Sequence, residues 1–316
     1  QFAVGTGSGG SQAVRFFNPD RTERFIAPAF PGLTGGVRTA SGDFNGDGVA
    51  DVVIGTGPGS ITQVQVLDGN TGAELFRMQP FESAFTGGVY VATGDLTGDG
   101  TMDLVITPDE GGGPRARIFS GKGFTQIADF FVIDDPAFRG GARAAIGDVN
   151  GDGRADLVAS AGFGGGPRIA GYDGKSVGVN PQRLFQDFFL FEDTLRNGAF
   201  IAVGDIDGDG FADIVGGGGP GGGPRVLGLS GKSLLTNAYI TRANFFAGDL
   251  ADRGGIRVAI KNLDGDNRAD IIVGSGDGSG NRVTGFLGAN ILPDGTPLAA
   301  FNLDSFPGFA GGVFVG

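Results

Sequence analysis

The sequence predicts an all-β fold: a six-bladed propeller of four-stranded antiparallel blades, with a closing blade assembled from both chain ends. Three observations carry that expectation. First, glycine supplies 65 of the 316 residues and proline 15, yet 40% of the chain is hydrophobic and 28 residues are phenylalanine. That apolar content is too high for a solvated coil, and glycine does not recur at every third position as collagen requires, so the glycines read as tight turns. Second, a motif recurs five times, as GDFNGDGVAD, GDLTGDGTMD, GDVNGDGRAD, GDIDGDGFAD and KNLDGDNRAD. Its second residues are Asp43, Asp95, Asp148, Asp205 and Asn262, at steps of 52, 53, 57 and 57 residues. Third, the two ends look like complementary parts of one more repeat.

Each repeat divides into four short strands. Before each motif lies a run of small residues, GGVRTASG, GGVYVATG, GGARAAIG, NGAFIAVG or GGIRVAIK. Ala, Gly and Thr suit an innermost strand crowded round a narrow channel. After each motif comes an apolar run, DVVIG, DLVIT, DLVAS, DIVGG or DIIVG, which reads as a second strand. A glycine-rich turn follows, seen as GGGPR at 111–115, 164–168 and 221–225. Third strands such as QVQVLDG and RARIFSG and phenylalanine-rich fourth strands such as ELFRMQPF and ADFFVID complete the unit. Four strands per repeat with no helix-period segment, at a spacing near that of propeller blades, favour a propeller. The expected blades are 35–82, 87–134, 140–190, 197–247 and 254–303, in a single domain over 1–316. Residues 2–30 read as strands two to four of a blade lacking its first, and 311–316, GGVFVG, as a first strand lacking its blade. Joined, they close the ring and leave no open sheet edge between first and last blade. Two residues before the Gly-Gly pair stand Phe85, Phe138, Phe309, Leu33 and Leu195, which are expected to fill the space between blades.

Composition excludes several functions. The net charge is −12, which argues against a general affinity for nucleic acid or anionic membrane. The chain has no cysteine and no histidine, which removes disulfides, thiolate and imidazole metal sites, and Ser-His-Asp triads. There is no run of 18 apolar residues to span a membrane as a helix, and the opening QFAVGTGSGG lacks a signal-peptide pattern.

The chemical content lies in the spacing D-x-[ND]-G-D-G-x-x-D. Oxygen ligands at positions 1, 3, 5, 7 and 9 of a tight loop suit a hard cation of calcium's size. The first copy offers Asp43, Asn45, Asp47, the Val49 carbonyl and Asp51. The second offers Asp95, Thr97, Asp99, the Thr101 carbonyl and Asp103, with Thr97 expected to weaken it. The third offers Asp148, Asn150, Asp152, the Arg154 carbonyl and Asp156. The fourth offers Asp205, Asp207, Asp209, the Phe211 carbonyl and Asp213; four carboxylates should make it the tightest. The fifth offers Asn262, Asp264, Asp266, the Arg268 carbonyl and Asp270. It is the weakest candidate, because Asn262 replaces Asp and Asn267 stands where glycine is expected to take a left-handed conformation. The loop opens like an EF-hand loop but is shorter and has no late bidentate glutamate. The motifs hold sixteen of the 35 acidic residues, so the acidity is concentrated in the loops. Up to five calcium ions are expected, with dissociation constants on the order of 10⁻⁴ to 10⁻³ M.

The combination GDFNGDGVADVVIG, a glycine-rich turn and flanking phenylalanines resembles the FG-GAP repeat family, the repeats of integrin alpha-chain propellers and of bacterial secreted or surface proteins. GPGGGPRV at 219–226 is similar to the bacterial members. The resemblance covers essentially the whole chain. It implies a calcium-binding hairpin between the first two strands of a blade, an extracellular or cell-surface location, and a binding or scaffold role. Integrin propellers have seven blades and this chain counts to six, so integrin ligand surfaces are not carried over.

The leading expectation is a calcium-stabilised structural or adhesive module. Its partners would be other copies of itself, with GGVFVG exchanged into a neighbouring subunit to build filaments, or extracellular protein and glycan surfaces. The alternative is a glycan-binding propeller, in which the recurring Arg115, Arg168, Arg225 and Arg282 meet acidic groups. The plainer role for these arginines is to pair with backbone carbonyls or a loop aspartate. An enzyme, such as a glycosidase or polysaccharide lyase, is not expected. The acid pairs Asp109 with Glu110, Asp134 with Asp135, and Glu192 with Asp193 have no reason in the sequence to converge.

Overall fold

The computed structural model describes residues 1–10, 13–30 and 32–316. Strands β1 (Phe2–Thr6), β2 (Ala13–Phe17) and β3 (Glu23–Pro28) open the chain. The first complete blade follows as β4 (Val37–Gly42), β5 (Asp51–Thr56), β6 (Val64–Leu67) and β7 (Glu74–Met78). The second is β8 (Val89–Gly94), β9 (Asp103–Pro108), β10 (Arg115–Phe119) and β11 (Gln126–Phe131). The third is β12 (Ala142–Gly147), β13 (Asp156–Ala161), β14 (Arg168–Tyr172) and the two-residue β15 (Phe188–Phe189). The fourth is β16 (Ala199–Gly204), β17 (Asp213–Gly218), β18 (Arg225–Leu229) and β19 (Thr241–Phe246), and the fifth is β20 (Ile256–Lys261), β21 (Asp270–Ser275), β22 (Arg282–Phe286) and β23 (Phe301–Asp304). The last strand, β24 (Val313–Val315), joins the first three in the order β24-β1-β2-β3. The expected six-bladed propeller, closed by both termini, is therefore observed, with one short helix at Gly231–Leu234 and a 3-10 turn at Gly288–Asn290 as its helical content among the described residues.

Sequence pattern accounts for where each strand sits. The second strands of the first four complete blades are buried along their whole length, as in DVVIGT and DLVITP, because neighbouring blades cover both of their faces. Fourth strands are partly exposed, as the mixed pattern of ELFRM shows. Innermost strands touch the next innermost strand all the way round, from β4 through β8, β12, β16 and β20 to β24 and back to β4. The core is accordingly not one body but a set of layers between blades. One layer joins Val53 and Val66 of the first blade to Val89 and Ile106 of the second. Another joins Phe2 and Val4 to Ile272 and Val283 across the closing junction. At the seam Val4 pairs with Val315, Gly5 with Phe314 and Thr6 with Val313. Gly316 and Ala3 exchange backbone hydrogen bonds at 2.8 and 3.0 Å.

The chain enters every innermost strand through a glycine with positive φ: Gly36, Gly88, Gly141, Gly198, Gly255 and Gly312, at φ between 65° and 87°. A side chain would be strained there, which explains why this position is glycine in all six blades. The second residue of each innermost strand then alternates between arginine and an aromatic: Arg38, Tyr90, Arg143, Phe200, Arg257 and Phe314. The three aromatic rings meet one another with centroids 5.9 to 6.2 Å apart. Each arginine lies against the rings on both sides, as Arg143 does at 4.1 Å from Phe200 and 5.3 Å from Tyr90. This ring of stacked guanidinium and aromatic groups stoppers the central channel.

Candidate metal centres

The five motif copies are the hairpins between the first two strands of the five complete blades. Their frame is set by carboxylates that accept backbone N–H groups. Asp43 takes Gly46 at 2.7 Å on one oxygen and Gly48 at 2.9 Å on the other. The bonds recur at Asp95 with Gly98 and Gly100, and at Asp205 with Gly208 and Gly210. Asp148 accepts from Asp152 at position 5 on one oxygen and from Gly153 at position 6 on the other. Position 6 must be left-handed for this to close, and Gly48, Gly100, Gly153 and Gly210 have φ of 81° to 85°. The carboxylates of Asp47, Asp99 and Asp209 and the side chain of Asn45 cap the next turn residues from positions 3 and 5.

The position-9 aspartates have a second task. Asp51, Asp103, Asp156, Asp213 and Asp270 are buried, at 0 to 1% exposure. Each accepts a backbone N–H from the head of its own loop and another from a glycine 18 residues later, as Asp51 does from Phe44 at 2.8 Å and Gly69 at 2.9 Å. The same staple is formed by Asp103 with Gly121, Asp156 with Gly174, Asp213 with Gly231 and Asp270 with Gly288. Burial raises all five carboxyls above the ordinary aspartate range, Asp156 to about 6 and Asp213 to about 7. A carboxylate has four lone-pair sites, so two N–H bonds leave capacity for a cation.

A fit to a cation is clearest in the fourth loop. Oxygens of Asp205, Asp207 and Asp209 lie within 4.8 Å of one another. Oxygens that share a calcium ion at about 2.3 to 2.6 Å are at most roughly 5 Å apart, so the cluster has the right span. The fifth loop does not fit as well. Asn262 accepts Gly265 at 2.7 Å but turns its amide N–H onto the Asp266 carbonyl, so a donor faces the loop where the other copies hold an acceptor. Asn267 does not take the left-handed conformation expected of it. The physical reason is the same bond: with no second carboxylate oxygen at position 262, nothing draws the N–H of residue 267 inward.

One cationic group escapes a reading of the motif alone. Lys122, Lys175 and Lys232 each follow the glycine of the position-9 staple, in SGK, DGK and SGK. They reach the position-5 aspartates: Lys175 to Asp152 at 2.7 Å, Lys122 to Asp99 at 3.2 Å and Lys232 to Asp209 at 3.8 Å. In the first copy the equivalent residue is Asn70, bonded to Asp47 at 3.0 Å. Arg242 adds a second cation to the fourth loop, 2.7 Å from Asp207. The signal was a lysine at constant offset from the motif.

The recurring arginines divide. Arg115 forms a fork with Asp129, Arg168 lies 2.7 Å from Asp187, and Arg225 reaches Glu192 at 3.5 Å and Asn244 at 3.0 Å. These partners lie on the outer strands and blade connections, not in the motif loops. Arg282 is exposed and lines a cleft instead. Of the acid pairs, Asp109 is held by the buried Arg38 at 2.7 Å.

Fold and loops together define a β-propeller built on repeated aspartate loops. The chain belongs to the FG-GAP-like repeat family, which matches residues 43–106, 95–159 and 148–216. It is 27% identical to integrin alpha-V of Gallus gallus over 201 residues, which is 57% of this chain and 19% of that protein. The chain thus spans about a fifth of that relative's length. Among solved structures, it is similar in fold to a protein of unknown function from Bacteroides caccae (TM-score 0.57, 12% identity, 100% of this chain and 97% of that one). It is similar to the same extent to a chain of a nidogen/laminin complex (TM-score 0.56, 12% identity, 100% and 97% covered).

Proposed function

We propose that this chain is a calcium-stabilised propeller module that works outside the cell or at its surface as a scaffold for binding. The observation that carries the reading is the loop frame built four times over, with three carboxylates converging in the fourth copy. A bound calcium supplies charge neutralisation and holds loop oxygens in place. The residues that would hold it are Asp43, Asn45 and Asp47, with the Val49 carbonyl and Asp51, and their counterparts in the next three copies. The surface location is supported by the likeness to an integrin alpha chain. No helix among the described residues is long and apolar enough to cross a membrane.

Thermal melting with and without chelator tests the proposal. At millimolar calcium and a dissociation constant of about 0.1 mM, each occupied loop adds roughly 1.4 kcal/mol of stability. Four loops should therefore raise the melting temperature by roughly eight degrees relative to excess EDTA. An unchanged transition in EDTA would sink the reading.

A further inference from the structure

The connection into each blade ends on a residue two before the entry pair, which is Gly-Gly except for Asn197-Gly198. At five junctions it is Leu33, Phe85, Phe138, Leu195 or Phe309; between the fourth and fifth blades it is Asp252. At four of the five it joins the layer between blades, as Leu33, Phe85, Phe138 and Leu195 do, while Phe309 lines a cleft at its junction. The backbone of the exceptional turn is intact: the Asp252 N–H donates to the Asp249 carbonyl at 3.0 Å, and the Asp249 carboxylate accepts the Ala251 N–H at 2.9 Å. Only the side chain has changed.

A cleft of about 580 Å³ lies between these two blades, deep enough to reach Ile256 and Val273. The clefts at the Leu195 and Phe309 junctions are smaller, about 460 and 430 Å³; one is walled by Phe191, Leu195 and Phe246 with Glu192, Arg225 and Arg253, the other by Ile26, Phe306 and Phe309 with Arg15. The Asp252 cleft has no aromatic wall among the described residues and carries three carboxylates, Asp249, Asp252 and Asp304, with Arg282, Ser279 and Thr284. Among the described residues, Arg282 and Asp252 have no side-chain partner, whereas Arg225 at the same repeat position as Arg282 pairs with Glu192. A repeat that departs from its own packing rule at one junction, and leaves polar groups facing a cavity there, is where a ligand site is expected.

The chemistry of the wall selects the ligand. Three carboxylates against one guanidinium repel an anionic group, which excludes uronic acids. A bare ammonium would answer the carboxylates but leave the Arg282 and hydroxyl donors unmatched. A ligand with many hydroxyls answers both donors and acceptors, and the rings of Pro224 and Pro307 offer apolar surface to its C–H face. We propose that the Asp252 cleft binds a short neutral or amino-bearing saccharide. The site does not depend on whether the loops hold calcium.

The test is an array of neutral, amino-bearing and uronic-acid-bearing oligosaccharides, probed with the intact chain in calcium buffer, with titration calorimetry on the retained sugars. Asp252→Phe restores the residue type found at the other junctions and should close the cleft, with at least a ten-fold loss of affinity and an unchanged or higher melting temperature. Arg282→Ala, at an exposed position, should weaken binding without altering melting. The proposal is overturned if no neutral or amino-bearing sugar is retained, if uronates are preferred, if Asp252→Phe binds as tightly as the parent, or if a lysine-rich peptide competes where no sugar does. Should Asp252→Phe fail to fold, Asp252→Leu and Arg282→Ala carry the same test.

Discussion

At the scale of single residues, the position-9 aspartates do two jobs that conflict when no cation is present. Each ties its hairpin to the turn of the third strand, and each is buried. Because burial raises Asp156 to about 6 and Asp213 to about 7, the folded chain binds their protons more tightly than the unfolded chain, where aspartate titrates near 3.8. The stability these groups contribute is therefore full below the unfolded value and is lost as pH rises through the folded one. In EDTA, the melting temperature should be higher at pH 5.5 than at pH 8. In saturating calcium the order should reverse, since protons compete with the ion for the same oxygens. Asp213→Asn should flatten the EDTA slope, and melting at both pH values checks it; an unchanged slope would place the titration elsewhere. The aspartates themselves were legible in the sequence, because spacing alone marks them. Their staple to a glycine 18 residues on was not, because it depends on how two hairpins lie side by side. The alternation of Arg38, Tyr90, Arg143, Phe200, Arg257 and Phe314 was on the page too, but became meaningful only once the ring brought six distant positions together.

At the scale of elements, the hairpin loop and the third-strand turn form one unit. Lys122, Lys175 and Lys232 bring an ammonium to the position-5 carboxylate of loops two, three and four, while Asn70 brings a neutral amide to loop one. A fixed cation beside a cation site raises the dissociation constant of that site. Replacing one of these lysines by methionine should tighten calcium binding at its loop by about three- to ten-fold at low salt, with a smaller gain at high salt. Calorimetric titration of each variant checks this, and an unchanged affinity would mean that the ammonium swings into solvent when the ion enters. The ranking of loops is altered by the same fact. Four carboxylates favour the fourth copy, but Lys232 and Arg242 both face it, so the first copy, with no lysine, becomes its rival. Counting acids in a motif could not show this, since the opposing charges come from outside it. Strand order and blade number were readable because period-two patterning and turn glycines are local properties. The shortened β15 and the helix at Gly231–Leu234 were not, because the one ends and the other lies within a connection between third and fourth strands, where the repeat lengthens from about 52 to 57 residues.

At the scale of the whole molecule, stability rests on closure. Each layer of core needs two blades, so a ring with one blade missing leaves two layers open instead of one. The strand that completes the ring is only three residues long, yet Val313, Phe314 and Val315 are all buried, and Phe314 is also the third aromatic of the channel stopper. Burying a side chain of this size contributes about 1.5 to 3 kcal/mol, so the three together are comparable with the 5 to 15 kcal/mol net stability of a typical domain. Removal of residues 311–316 should therefore abolish the cooperative melting transition or lower it by roughly ten degrees, even in calcium. A peptide of those six residues, added in excess, should restore it by pairing with β1 as β24 does. The same rescue could come from the last strand of a second chain, and that is the route by which copies would join head to tail. Mixing the truncated chain with the intact one distinguishes the two cases. If the seam exchanges, light scattering will show species larger than a monomer that grow with concentration. If β24 stays with its own β1, the intact chain remains monomeric and the truncated chain stays unfolded beside it.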